Sequence, residues 1–239
     1  MCIRDRFWDV KVDNDKVQKA VTLESATVGG SVYFLDGTLI TGEVNLAANI
    51  DGVVHFRGAS VIGSHDRRTV SMYNAQIGGN VAFLRGNSPN APEATAVPSR
   101  IVGGISMHSA KVRGGVWTSF DRDDAPPVPS SQATVNCRIT GNIVLDYAQI
   151  SGEVRWNAIS VGGTVSGRHL TVHGDLLIRG SVVGLGDARV KQDFARSTFS
   201  PSEAVAAEEF AKRAVVNVEL AKIGGCLLYT SDAADEGLG

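Results

Sequence analysis

An all-β chain wound as a single-stranded β-solenoid (a β-helix) is the architecture expected from three features of this 239-residue sequence. A unit of about eleven residues recurs along the chain, which is the mark of a fold built by stacking. Within each unit apolar residues alternate with polar ones, so one side of an extended strand is buried. Glycine is abundant at 27 residues while proline stands at 7 and aromatics at 6%, a balance suited to many short strands and tight turns.

The segments Ala20–Gly30, Thr69–Gly79, Ile105–Gly115, Ile143–Gly152 and Val216–Gly225 share the pattern apolar-x-apolar-x-x-Ala-x-apolar-x-Gly. Val44 and Leu46, Val54 and Phe56, Val81 and Phe83, and Val154 and Trp156 echo its first half. β-Branched residues dominate the alternating positions, as strands prefer. The closing glycine is expected to supply the positive φ of a corner, and the alanine before it (Ala26, Ala75, Ala110, Ala148, Ala221) to fit a crowded inner bend. A helix is excluded because apolar residues do not recur at i, i+3, i+4 and i+7. Two units make a coil of roughly 20–22 residues, and about eight coils rising ~4.8 Å each give a rod of about 40 Å.

Proline placement agrees with this division. Pro89, Pro92 and Pro98 fall in 87–100, and Pro126, Pro127 and Pro129 in 121–132, so these two stretches are expected to be looped insertions. Residues Ser64–Arg68 form a shorter loop. Ser200-Pro201-Ser202-Glu203 combines an N-cap, a proline at N1 and a glutamate at N3. Ala206, Ala207, Phe210, Ala211 and Ala214 then share one helical stripe, which predicts one short lateral helix before the strand pattern resumes near Val216.

The two ends read differently. Met1–Arg6 and the string from Cys226 to Glu236 resemble the conceptual translation of a transposon-type sequencing adapter, read from opposite strands. The expected organisation is therefore adapter-like residues 1–6 and 226–239 around one solenoid domain at 7–225, whose true termini are missing. The segment between carries equal numbers of acidic and basic residues, so bulk charge gives no support for nucleic-acid binding. Cys137 is its single cysteine, too few for a disulfide or a multi-cysteine metal site. Apolar runs are short, as in Leu176-Leu177-Ile178, so no transmembrane segment is expected and a cytoplasmic location is favoured.

Candidate sites reduce to structural roles. Gly184-Leu185-Gly186-Asp187-Ala188-Arg189 lacks the third glycine and the following helix of a dinucleotide loop, and reads as a turn. If His169 and His173 lie on one extended strand they stand roughly 13 Å apart, too far to share a metal ion; a turn between them would shorten that distance, but no third ligand is apparent, and both are expected to face solvent. His55, His65 and His108 read as isolated. Asp121, Asp123 and Asp124 lack the glycine and glutamate of a calcium loop and suit a solvated loop. Cys137 shares the parity of Val135 and Ile139 and is expected to be a buried strand thiol. Trp8, Trp117 and Trp156 read as core or coil-face residues, with sugar stacking a second role for Trp117. No catalytic, cofactor-binding or metal-ligating residue is identified, and no cofactor is implied.

The run from Ala75 to Leu84 (Ala-x-Ile-Gly-Gly followed by Val-x-Phe-Leu) resembles a bacterial, mainly actinobacterial, repeat family. That family is often labelled "membrane-associated oxidoreductase" and is akin to pentapeptide-repeat and bactofilin-like solenoids. The resemblance implies a solenoid over most of 15–225; its label implies redox activity, for which no nucleotide, flavin or metal motif is present. The leading expectation is a non-catalytic repeat scaffold that binds a protein partner or self-associates through its coil ends. A polysaccharide-active β-helix enzyme would instead gather Asp36, Asp51, Asp146, Glu153 and Asp175 around one groove. Peripheral membrane contact would need a basic or apolar stripe, and Arg67-Arg68 and Lys212-Arg213 are dispersed pairs.

Overall fold

Alternation of buried valines and isoleucines with exposed polar residues gives strands of two to four residues, too short to bury an apolar face alone. The computed structural model describes residues 5–7, 11–13, 19–63, 68–86, 97–119, 136–179, 182–183, 216–218 and 220–230. Twenty-nine strands and no helix are found among them. They form four parallel sheets, one of eight strands and three of seven. The chain visits the sheets in strict rotation, so the molecule is a four-sided β-solenoid. One circuit runs through Val54–Arg57, Ser60–Ile62, Arg68–Ser71 and Gln76–Ile77, which define the first to fourth faces. Seven circuits are followed by Leu227–Thr230, the last strand of the first face.

Uninterrupted coils place partners 22 residues apart, as in Val32 beside Val54 and Val154 beside Leu176. Like side chains therefore pile into columns. Val32, Val54, Val81, Val116 and Val154 form one, and Ile40, Val61, Ile101, Ile139 and Val161 another. Both lie wholly inside the coil. Phe34, Phe56 and Phe83 stack with ring centroids 4.6 and 5.1 Å apart. Each fully buried side chain of this size contributes about 1.5–3 kcal/mol by leaving water, and the single core runs the length of the rod.

The corners correct one sequence expectation. Between the third and fourth faces the left-handed residue is Ser25, Asn74, Ser109, Tyr147, His169 or Leu220, with φ between 55° and 61°, and none is glycine. Each sits in a tight turn closed by the next residue, as Ala148 N–H donates to Leu145 O at 3.0 Å. The alanine column (Ala75, Ala110, Ala148) packs inside this bend, as expected.

The repeated glycines serve a different purpose at the next corner. Gly30, Gly52, Gly79, Gly114, Gly152, Gly174 and Gly225 form a ladder, each amide donating to the preceding glycine's carbonyl at 2.7–3.1 Å. A Cβ on Gly52 would stand 2.6 Å from Gly30 O, and one on Gly152 would stand 2.9 Å from the Gly114 carbonyl carbon. Close approach of backbone to backbone, rather than positive φ, excludes a side chain here.

The insertions leave from defined corners. Residues 87–96 and 120–135 both interrupt the passage from first to second face, whereas 64–67 and 184–215 interrupt the passage from second to third. The expected loop at 87–100 closes sooner than the prolines suggested. Val97 pairs with Gly86, and Ser99–Val102 is already a strand. Ser99, fully buried, donates its hydroxyl to Leu84 O at 2.7 Å and lies 3.0 Å from Phe56 O, clasping the neck of the insertion. The expected loop at 121–132 and the expected helix at 200–214 lie outside the described residues.

Candidate functional site

The densest chemistry among the described residues lies along the corner between the third and fourth faces. Repetition of the turn brings Tyr73, His108, Tyr147 and His169 into a file up four successive coils. Tyr73 and His108 are parallel at 5.4 Å, His108 meets Tyr147 edge-on at 5.4 Å, and Tyr147 lies parallel to His169 at 4.8 Å. The Arg68 guanidinium stands 6.0 Å from the Tyr73 ring, at the limit of a cation–π contact. The rings are thus spent largely on one another, although Tyr147 is still 51% exposed.

Beside this file lies a polar lock. Asp146 is 3% exposed and takes Arg168 through Nε at 3.0 Å and Nη2 at 2.8 Å, both to Oδ2. Its Oδ1 accepts the Ser166 hydroxyl at 2.6 Å and the Arg168 amide at 2.9 Å. Burial pushes this carboxyl up, but hydrogen bonds from Ser166 and Arg168 and the guanidinium charge outweigh it and hold the group below the usual aspartate range. A carboxylate saturated in this way fixes the turn and has no lone pair directed to a substrate.

The remaining carboxylates are scattered. Asp36 follows the first face and stands 4.0 Å from Arg57 Nε. Asp51 is exposed at the edge of the fourth face. Glu153 and Asp175 are neighbours at the glycine corner, where Glu153 binds Arg155 at 2.9 Å and Asp175 accepts the Cys226 amide at 2.7 Å. Only two of the five meet, and no third joins them. Among the described residues no three of His, Cys, Asp and Glu gather closely enough to hold a metal ion.

Cys137 is buried in the second-face column beside Ser99 and Ile159, and burial drives its thiol well above the usual range. His169 and His173 are exposed, as expected. His108 is not isolated, since it lies between two tyrosines, and His55 is half-buried edge-on to Tyr33 at 5.5 Å. Burial lowers the His55 pKa. Trp156 belongs to the core, whereas Trp117 is half-buried on the outward column of the first face, between Ala82 and Arg155. Trp8, His65, Asp121, Asp123, Asp124 and Gly184–Arg189 lie outside the described residues.

The aromatic file was missed in the linear sequence because its members are 22 to 39 residues apart. Aligning the repeats vertically places Tyr73 and His108 at one position and Tyr147 and His169 at the next, and that is the signal which could have found it. Comparison with family models, curated proteins and solved structures gives no match. No described helix is long and apolar enough to cross a membrane.

Proposed function

We propose that this chain is a non-catalytic repeat scaffold that binds protein partners or copies of itself through its coil ends. The observation that carries this reading is the contrast between inner and outer coils. Inward side chains are buried throughout the middle of the rod, but Val12, Ala20, Val21, Leu23 and Ala26 at one end are half-buried. So are Val218, Ala221 and Ile223 at the other. The two ends present the same columns, alanine to alanine and Ile223 to Val28, beside strand edges that can accept a further parallel strand. The scattered carboxylates and the saturated Asp146 support a scaffold over a polysaccharide-active enzyme. A heterologous contact of this kind repeats from copy to copy and forms open rods. A cytoplasmic location belongs to the same reading.

Light scattering after size-exclusion chromatography tests this over a concentration series. Association that rises with concentration and is abolished by Val218→Lys with Ile223→Lys is expected. A monomer at every concentration overturns self-association through the coil ends.

A further inference from the structure

The two ends of the rod carry matching sets of backbone groups. Take the N-terminal end as the bottom. Around the corner of the third and fourth faces, the lower coil donates upward on entering the turn, as Leu23 does to Asn45 O and Ser25 to Ala47 O. On leaving it the upper coil donates downward, as Asn49 does to Ala26 O, Asp51 to Val28 O and Gly52 to Gly30 O. By the same scheme the top of the rod offers the amides of Val218 and Leu220 and the carbonyls of Ala221, Ile223 and Gly225. The bottom offers their counterparts, the carbonyls of Thr22 and Glu24 and the amides of Thr27, Gly29 and Gly30. A second copy stacked head to tail, ~4.8 Å above, satisfies both sets in one register. An unrelated edge strand would match a single face but not a turn that crosses to the next.

The first face does not fit this stack. Among the described residues it holds eight strands where the others hold seven, because both Asp5–Phe7 at the bottom and Leu227–Thr230 at the top belong to it. Place a second copy so that its Lys11–Asp13, Lys19–Thr22 and Thr27–Val28 continue Val182–Val183, Val216–Asn217 and Lys222–Ile223 of the copy below. Its Asp5–Phe7, one face earlier in the circuit, then falls directly above Leu176–Arg179. Leu227–Thr230 of the lower copy already holds that place. Two strands compete for one position at every junction.

We infer that Asp5–Phe7 is an intramolecular cap on self-association. A second copy docks in register only when this strand leaves its place beside Val32–Phe34 and Leu227–Thr230 of the copy below takes it. The register decides which strand yields. Leu227 pairs with Leu176 and Asp5 with Val32, so both stand in the column that runs from Val32 to Leu176. Leucine continues that apolar column and aspartate does not. Leu227 is 57% exposed at the open top, and Val32 of an uncapped copy would cover it. Asp5–Phe7 is also held by three ladder positions against four for Leu227–Thr230. The inference rests on the coil-end reading and adds to it the identity of the partner, its register and what holds it back.

Sedimentation velocity of the full chain over a concentration series tests this, with three variants in parallel. F7P denies Asp5–Phe7 its ladder place and should lower the concentration for half-association about tenfold or more, each ladder bond otherwise forfeited being worth about fivefold. F7P/L228P leaves the position empty from both sides and should lose that gain. F7P/V218K/I223K should be monomeric. No gain in F7P, a double variant as tight as F7P, or association that survives the two lysines overturns the inference. Hydrogen exchange of the unsubstituted chain gives a reading that no substitution can disturb. As association rises, Asp5–Phe7 should lose protection and Leu227–Thr230 should gain it. Protection rising at both strands, or changing at neither, overturns the inference as well. If parent and F7P both stay monomeric the coil-end reading itself falls, whereas tight association of the parent with both strands protected removes only the cap.

Discussion

Substituting Gly152→Ala separates the two explanations for the regular recurrence of glycines along this chain, backbone twist and backbone proximity. The new methyl would lie 2.9 Å from the Gly114 carbonyl carbon and the Gly115 nitrogen, and 3.0 Å from the Gly114 oxygen. All three are backbone atoms of the adjoining coil, so no side chain can rotate away. Relief requires the coils to separate by several tenths of an ångström at that corner. Overpacking of this kind costs about 1–3 kcal/mol. Two ladder hydrogen bonds, from Gly152 to Gly114 and from Gly174 to Gly152, would be weakened at about 1 kcal/mol each. The stiffer unfolded chain returns about 0.4–1 kcal/mol, leaving a net loss of about 2–4 kcal/mol. Gly29→Ala is the control, because its nearest atom, Asp51 Oδ2, is 3.9 Å away and its φ is not positive. It should be neutral or slightly stabilising. Urea unfolding followed by far-ultraviolet circular dichroism, with hydrogen exchange on the coils around Gly152, measures both. Equal effects of the two substitutions, or a neutral Gly152→Ala, would refute the proximity argument.

Two further outcomes follow from the site. Because the folded-state pKa of Asp146 lies below its unfolded value, its contribution is present above about pH 4 and is lost as pH falls through the lower folded value. Asp146→Asn should therefore cost about 2–3 kcal/mol at neutral pH by weakening charge-assisted bonds, and should flatten the acid limb of a stability profile; an unchanged limb would contradict the assignment. With Cys2 and Cys226 replaced by serine, Cys137 should resist a thiol reagent until the coil unfolds, and rapid labelling of the native protein would show that this column is open.

Much of the fold could be read along the chain. Pairs such as Val70 and Met72 or Ile143 and Leu145 announce a buried strand side, and the interval between units sets the coil at 22 residues where nothing interrupts it. The role of the glycines was not legible, because a residue without a side chain marks either an unusual φ or a neighbour too close for one. Nor was the status of His108: its contacts, Tyr73 and Tyr147, are distant in sequence and meet it only after two circuits close.

Alternation and recurrence, which are local properties, committed the chain to winding, since each short strand can hide its valines only against the coils above and below. Which side chains share a column was settled in three dimensions. Insertions stretch the separation of adjacent partners from 22 residues to 35 between Val81 and Val116 and 38 between Val116 and Val154, yet all three valines stand in one file. Hydrogen bonds between coils restore the register after every excursion, and that register brings Asp146 to Arg168.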